Sequence, residues 1–125
     1  MSFHRAEHIE LEPREPDERE REVLAALLSA DFPGKAALLV QASNVKVRRI
    51  DRNGSLALVP EPTAPRAEVV RRIPVEAESD DRDGVRVHVL LHVLDGYLTE
   101  LEIYRDDSAP LQRDLEPANF RLIVL

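Results

Sequence analysis

Apolar residues change their period near Asn44: before it they recur at helical spacing, and after it they alternate. Val23, Leu24, Leu27 and Leu28 form a stripe that one helix face can turn toward a core. That helix is predicted to open near Pro16, because the first turn of a helix has no use for the N–H that proline lacks. Asp17 and Glu18 then stand at the positive end of the helix dipole, and Asp17 is spaced to pair with Arg21. Phe32-Pro33-Gly34 ends the helix, since a residue before proline is pushed out of the helical region. A second, shorter helix is predicted over 35–42, with its Ala-Leu-Leu-Val run buried on more than one side.

Strands are predicted at 45–51, 55–59, 68–78, 85–94, 97–105 and 120–125. Turn chemistry separates them at Asn53-Gly54, at a proline-rich loop over 60–65, at Asp80 to Gly84 and at Asp95-Gly96. Short connections join neighbours antiparallel. The expected fold is α+β, with two N-terminal helices packed on one face of an antiparallel β-meander of five to six strands. Residues 1–15 read as a polar arm or an edge strand, and 16–125 as a single domain. The apolar segment 120–125 either adds a strand or folds over the second sheet face.

Alternation also assigns faces. In 85–93, Val85, Val87, Val89, Leu91 and Val93 share one side, and Arg86, His88, Leu90 and His92 share the other. In 97–104, Thr99, Leu101 and Ile103 oppose Leu98, Glu100, Glu102 and Tyr104. A two-residue turn at Asp95-Gly96 pairs Leu94 with Tyr97 and brings glutamates onto the valine side. A three-residue loop with Gly96 left-handed pairs Val93 with Tyr97 and keeps them off it. Burying an unpaired carboxylate costs several kcal/mol, so the three-residue loop is expected. A loop at 80–84 likewise pairs Ala77 with Val87.

The second face then carries Glu76, His88 and Glu102 in one row, Glu78, Arg86 and Tyr104 in another, and Arg72, His92 and Leu98 in a third. An imidazole between two carboxylates suits general acid–base work, so His88, Glu76 and Glu102 are the catalytic candidates. The same row is also how a solvated sheet face is built. Leu90, His92, Leu98, Tyr104 and Arg86 make a half-apolar surface among charges, the candidate surface for a ligand or partner.

No cofactor and no metal are predicted. His88 and His92 share a strand face, but four residues of strand put them about 13 Å apart. His4 and His8 are four apart, but prolines follow them and the segment reads as extended. Asp81-Arg82-Asp83-Gly84 suggests a calcium loop, yet the closing glutamate position falls on Leu90, and a hairpin turn is the better reading. Pro33-Gly34-Lys35-Ala36 lacks the upstream glycine and the hydroxyl residue of a phosphate loop.

Composition narrows the class. The chain has 125 residues, 43% of them hydrophobic, as one folded domain requires. Its net charge of −7 argues against a nucleic-acid partner, and 4% aromatic residues offer little to stack on bases. Without cysteine there are no disulfides, thiolate metal sites or cysteine nucleophiles. No apolar run approaches the ~18 residues of a membrane span, and Met1 to Arg5 lacks the apolar stretch of a signal peptide. A cytoplasmic protein without a membrane partner is expected.

The run Asp83-Gly84-Val85-Arg86-Val87-His88-Val89 is followed by Gly96-Tyr97-Leu98-Thr99-Glu100-Leu101-Glu102-Ile103-Tyr104-Arg105-Asp106-Asp107 and by Pro110-Leu111. Together with an acidic opening helix from Asp17 to Ala30 and a middle Gly54-Ser55-Leu56, it resembles an uncharacterised family of small bacterial proteins over residues 12–112. The resemblance implies a single α+β domain and brings no activity and no catalytic residues. The longer N-terminal arm and the apolar C-terminal end depart from it. With no catalytic constellation beyond the Glu-His-Glu row, the half-apolar face favours a small binding module over an enzyme, its partner another protein or a second copy of itself. The alternative is a small-ligand binder or an enzyme built on the Glu-His-Glu row.

Overall fold

The structure is a computed structural model that describes residues 9–125, so the His4/His8 spacing lies outside the described residues. Helix α1 spans Glu18–Leu27. The Asp17 carboxylate accepts the Glu20 N–H at 2.8 Å, and the Glu20 carboxylate accepts the Asp17 N–H at 2.8 Å. This reciprocal cap satisfies donors that the helix start leaves unpaired. Pro16 therefore stands one residue ahead of the cap instead of in the first turn. Arg21 turns to Glu15 at 3.4 Å instead of to Asp17. Helix α2, Lys35–Ser43, follows Gly34, whose φ is +91°. It buries Leu38 and Gln41 but exposes Leu39 and Val40, so its burial is one-sided, contrary to the expectation from its apolar run.

Six strands form one antiparallel sheet: β1 Lys46–Arg49, β2 Leu56–Val59, β3 Val75–Asp80, β4 Arg86–Leu94, β5 Tyr97–Arg105 and β6 Arg121–Val124. Their order is β1-β2-β5-β4-β3-β6. The fold is α+β, but the sheet is not a simple meander. Only β3-β4-β5 runs as one, and the 60–74 connection carries the chain from β2 past β5 and β4 to β3. Segment 120–125 takes the first of its two options: β6 pairs antiparallel with β3, Val75 opposite Val124. The strand expected over 68–78 starts only at Val75, because Pro74 has no N–H for a ladder and the chain bends over 70–73. The preceding segment is pinned to the β4–β5 turn: the Ala67 N–H donates to the Gly96 carbonyl at 2.8 Å, and Arg72 accepts the Val93 N–H at 2.7 Å. Residues 10–14 lie along the edge of β1, with the Glu10 N–H on the Arg49 carbonyl and Arg14 bridged to Val47.

The β4–β5 hairpin corrects the expected turn. Leu94 pairs with Tyr97, and Asp95 (φ 52°) and Gly96 (φ 84°) are both left-handed, the signature of a tight two-residue turn. Val93 then pairs with Leu98 and His92 with Glu100, leaving Thr99 as an extra, bulged residue. Past the bulge, Leu91 meets Leu101, Val89 meets Ile103 and Val87 meets Arg105. The bulge does what the three-residue loop was expected to do, and Val89 and Glu102 lie on opposite faces. It also corrects Leu98, which precedes the bulge, shares the valine face and is 1% exposed. Between β3 and β4 the loop runs over 81–85, so Ala77 pairs with Val89 instead of Val87. Both strands shift by one residue together, so the faces are unchanged.

Val23, Leu24 and Leu27 of α1, Leu28 just past its end and Leu38 of α2 form one buried cluster with Val47, Leu56, Val75, Ala77, Val89, Leu91 and Leu101 from the sheet. Gln41 is buried at its margin. Its amide nitrogen donates to the carbonyls of Pro65 and Gly96 at 2.8 Å each, and its oxygen accepts the Leu98 N–H at 2.8 Å. One satisfied amide thus ties α2 to the crossing connection and to the hairpin turn. Gln41→Ala strands the Leu98 N–H and the Pro65 carbonyl without a partner. It is expected to cost on the order of 3 kcal/mol, read as a lower urea midpoint at unchanged slope.

Candidate functional site

The sheet face opposite the valines carries the candidate residues, in rows displaced from those expected. Glu78 lies opposite His88, and His88 opposite Tyr104. Glu76 lies opposite Leu90, and Leu90 opposite Glu102. His92 lies opposite Glu100, and Asp80 opposite Arg86. The straight Glu76/His88/Glu102 row is therefore not formed. Its displacement follows from the 81–85 loop and the Thr99 bulge, each of which moves a partner strand along β4.

His88 gathers other carboxylates. Its Nε2 is 2.5 Å from Asp106 Oδ1, and its Nδ1 is 3.7 Å from Glu76 Oε2 and 4.0 Å from Glu78 Oε2. Its ring stacks on Tyr104 with centroids 4.9 Å apart and planes at 18°. Partial burial, and then the carboxylates of Glu102, Glu76, Asp106 and Glu78, push the Tyr104 phenol above its ordinary value, so it keeps its proton. Glu102 belongs to the other histidine: His92 Nε2 is 2.8 Å from Glu102 Oε1. Arg86 is exposed, with its Nε 3.8 Å from Glu78. Leu90 is half-buried between the two imidazoles, and Tyr104 is 37% exposed. Arg86 and Asp106 line an open depression with Asp80, Gly84, Val85 and Asp107, and neither His88 nor His92 lines it or the four other cavities described. Chemically, the face offers clustered carboxylate acceptors and two imidazoles on a shallow surface.

Arg105, which the sequence reading passed over, is the centre of a second cluster. It sits at an inward position on β5, 3% exposed. Its guanidinium donates to Asp81 at 2.8 Å, to Asp83 at 2.8 Å and to Asp107 at 2.7 Å. Asp81 also accepts the N–H groups of Arg82 at 2.8 Å and Gln112 at 2.9 Å. The arginine clamps the β3–β4 loop, the end of β5 and the segment beyond it. The signal was present in the sequence: a charged residue in phase with Leu101 and Ile103 needs buried partners, and Asp81-Arg82-Asp83 supplies them. These aspartates are thus committed to a guanidinium, as a hairpin turn allows and a calcium loop does not.

Each carboxyl of this cluster titrates below its ordinary range. The Arg105 guanidinium, and then the Ala109 N–H, hold Asp107 down to about 2. Arg105 lowers Asp83. At Asp81 burial pushes upward, and the Gln112 N–H with Arg105 more than offsets it. A depressed folded value contributes stability above the unfolded value of about 3.9, and that stability is lost as pH falls through the folded values. The thermal midpoint of the chain is expected to drop between about pH 4 and pH 2. Arg105→Met should lower the midpoint at pH 7 and flatten that acid dependence, measured by circular dichroism melts across the range.

A family model described as a domain of unknown function (DUF6984) matches residues 13–114. No curated protein and no solved structure matches the chain. No described helix is long and apolar enough to cross a membrane.

Proposed function

The chain belongs to the family described as a domain of unknown function (DUF6984), and from that premise we propose that it is a non-catalytic binding protein whose acidic sheet face docks a cationic protein surface. One observation carries the reading. Across β3, β4, β5 and the residue just past β5, Glu76, Glu78, Glu100, Glu102 and Asp106 share one shallow face with Arg86, while Arg121 and Arg48 stand on the flanking strands β6 and β1, in a chain of net charge −7. In this reading the two helices cover the valine face and leave the acidic face to the partner. Tyr104 and Leu90 supply the apolar contact that a charged surface alone lacks. Complementary charge steers encounter and rejects wrong partners. A shallow face without walls favours a macromolecule over a small ligand, which needs a concave pocket.

A photo-crosslinking residue placed at Arg86 in the native cell should capture the partner, and one placed at the exposed Glu22 of α1 should not. Glu78→Lys with Asp106→Lys should weaken the purified complex at least about tenfold, and added salt should weaken the wild-type complex in the same direction. Equal capture from both positions, or indifference to charge reversal, would sink the proposal.

Self-association has one observation of its own. The β1 edge is occupied by residues 10–14, whereas edge strand β6 exposes Leu122 and Val124. Exposed apolar edge strands pair with their own copies, most simply about a twofold axis. In that case the chain sediments as a dimer and Val124→Lys sediments as a monomer.

A further inference from the structure

We propose that His92, Glu100 and Glu102 form a binding site for a divalent transition-metal ion, with Zn²⁺ as the fitting probe. The site lies within the acidic face and shares Glu100 and Glu102 with it, but metal binding does not require that face to dock a protein. The ligand atoms of the three side chains lie within 4.8 Å of one another. The bulge assembles them. Without the extra Thr99, His92 would pair with Thr99 and Glu100 would fall on the valine face; with it, Glu100 stands directly opposite His92. Glu102 follows two residues on, along the same face.

Donor atoms each ~2.1 Å from a common ion stand about 3.0 to 3.4 Å apart. His92 Nε2 and Glu102 Oε1 are already 2.8 Å apart, close to a chelating pair, and Glu100 offers a carboxylate oxygen within 4.8 Å of both. The imidazole is 13% exposed, and its enclosed Nδ1 has no partner. Nε2 is therefore the nitrogen that the fold presents to the carboxylates.

Charge gives a second, separate reason. Several other carboxylates around the sheet have arginines: Glu78 has Arg86, Asp80 has Arg121, and Asp81, Asp83 and Asp107 have Arg105, while Glu76 and Asp106 share His88. Among the described residues, no arginine or lysine lies within ion-pair distance of Glu100 or Glu102. Arg48, two strands away through Ala57, donates instead to the Glu10 carbonyl at 3.1 Å. Two carboxylates beside one imidazole therefore lack a full positive charge, and a divalent ion supplies it. One nitrogen and two carboxylate oxygens suit zinc and its neighbours better than calcium or magnesium, which favour all-oxygen shells. Three protein ligands leave a position for water.

The test is Zn²⁺ titration calorimetry on the chain carrying His4→Ala and His8→Ala, with histidine-selective NMR on the same sample. One saturable Zn²⁺ is expected, with the His92 ring signals shifting and those of His88 unmoved, and with millimolar Mg²⁺ failing to compete. His92→Ala should abolish binding, and Glu100→Gln and Glu102→Gln should each weaken it roughly tenfold or more, with metal-free melting retained in the glutamine variants. Glu78→Lys with Asp106→Lys should leave it intact, which distinguishes loss of metal binding from loss of docking. No saturable Zn²⁺, unchanged affinity in the glutamine variants, or a response at His88 instead of His92 would overturn the assignment.

Discussion

A β-strand presents side chains with a period of two, so a single inserted residue exchanges the faces of everything beyond it. The hairpin of β4 and β5 is built around that constraint. Asp95 and Gly96 impose a tight turn whose uninterrupted register would bury Glu100 and Glu102 against the valines. The Thr99 bulge inserts the one residue that reverses this. The turn itself buries Leu98, and from the bulge follow the burial of Leu101 and Ile103, the inward placement of Arg105 and the outward placement of both glutamates. Bulges recur beside functional sites because they re-aim side chains, and here the re-aimed residue is Glu100.

Buried polar groups then hold long connections onto this frame. Gln41 fastens the crossing connection and the hairpin turn to α2. Ser55 accepts the Ile103 N–H at 2.9 Å, joining the turn before β2 to β5. Arg105 gathers three aspartates from two loops. Each anchor is a polar group whose hydrogen-bonding capacity is met inside the protein, so each specifies one arrangement of backbone that apolar packing alone would leave loose.

The outer face owes its chemistry to the same register. Two histidines on one strand are too far apart to act together, yet each acquires carboxylates from the strands beside it. His88 sits among Asp106, Glu76 and Glu78, while His92 sits with Glu102 and Glu100. The first group carries its own local cation in Arg86 and stacks on Tyr104. The second lacks one. The two imidazoles therefore occupy different electrostatic settings on a single shallow surface.

Period and turn chemistry made much of this legible. The α1 stripe, the positions of most strands, the hairpin at 95–96 and the opposition of Val89 to Glu102 follow from local rules acting on neighbouring residues. The candidate surface was legible as a face but not as a set of partners. Alternation matches Glu102 to His88, yet it belongs to His92; alternation puts Leu98 outside, yet it is in the core. These errors share a cause. Alternation is a property of one strand, whereas pairing depends on where a loop closes and whether a bulge intervenes. Those are chosen by the total burial of apolar and charged groups across the sheet. The sequence by itself determined which residues could look inward; only the tertiary structure decided which of them meet, because one residue of slip costs little locally and changes every contact across the strands.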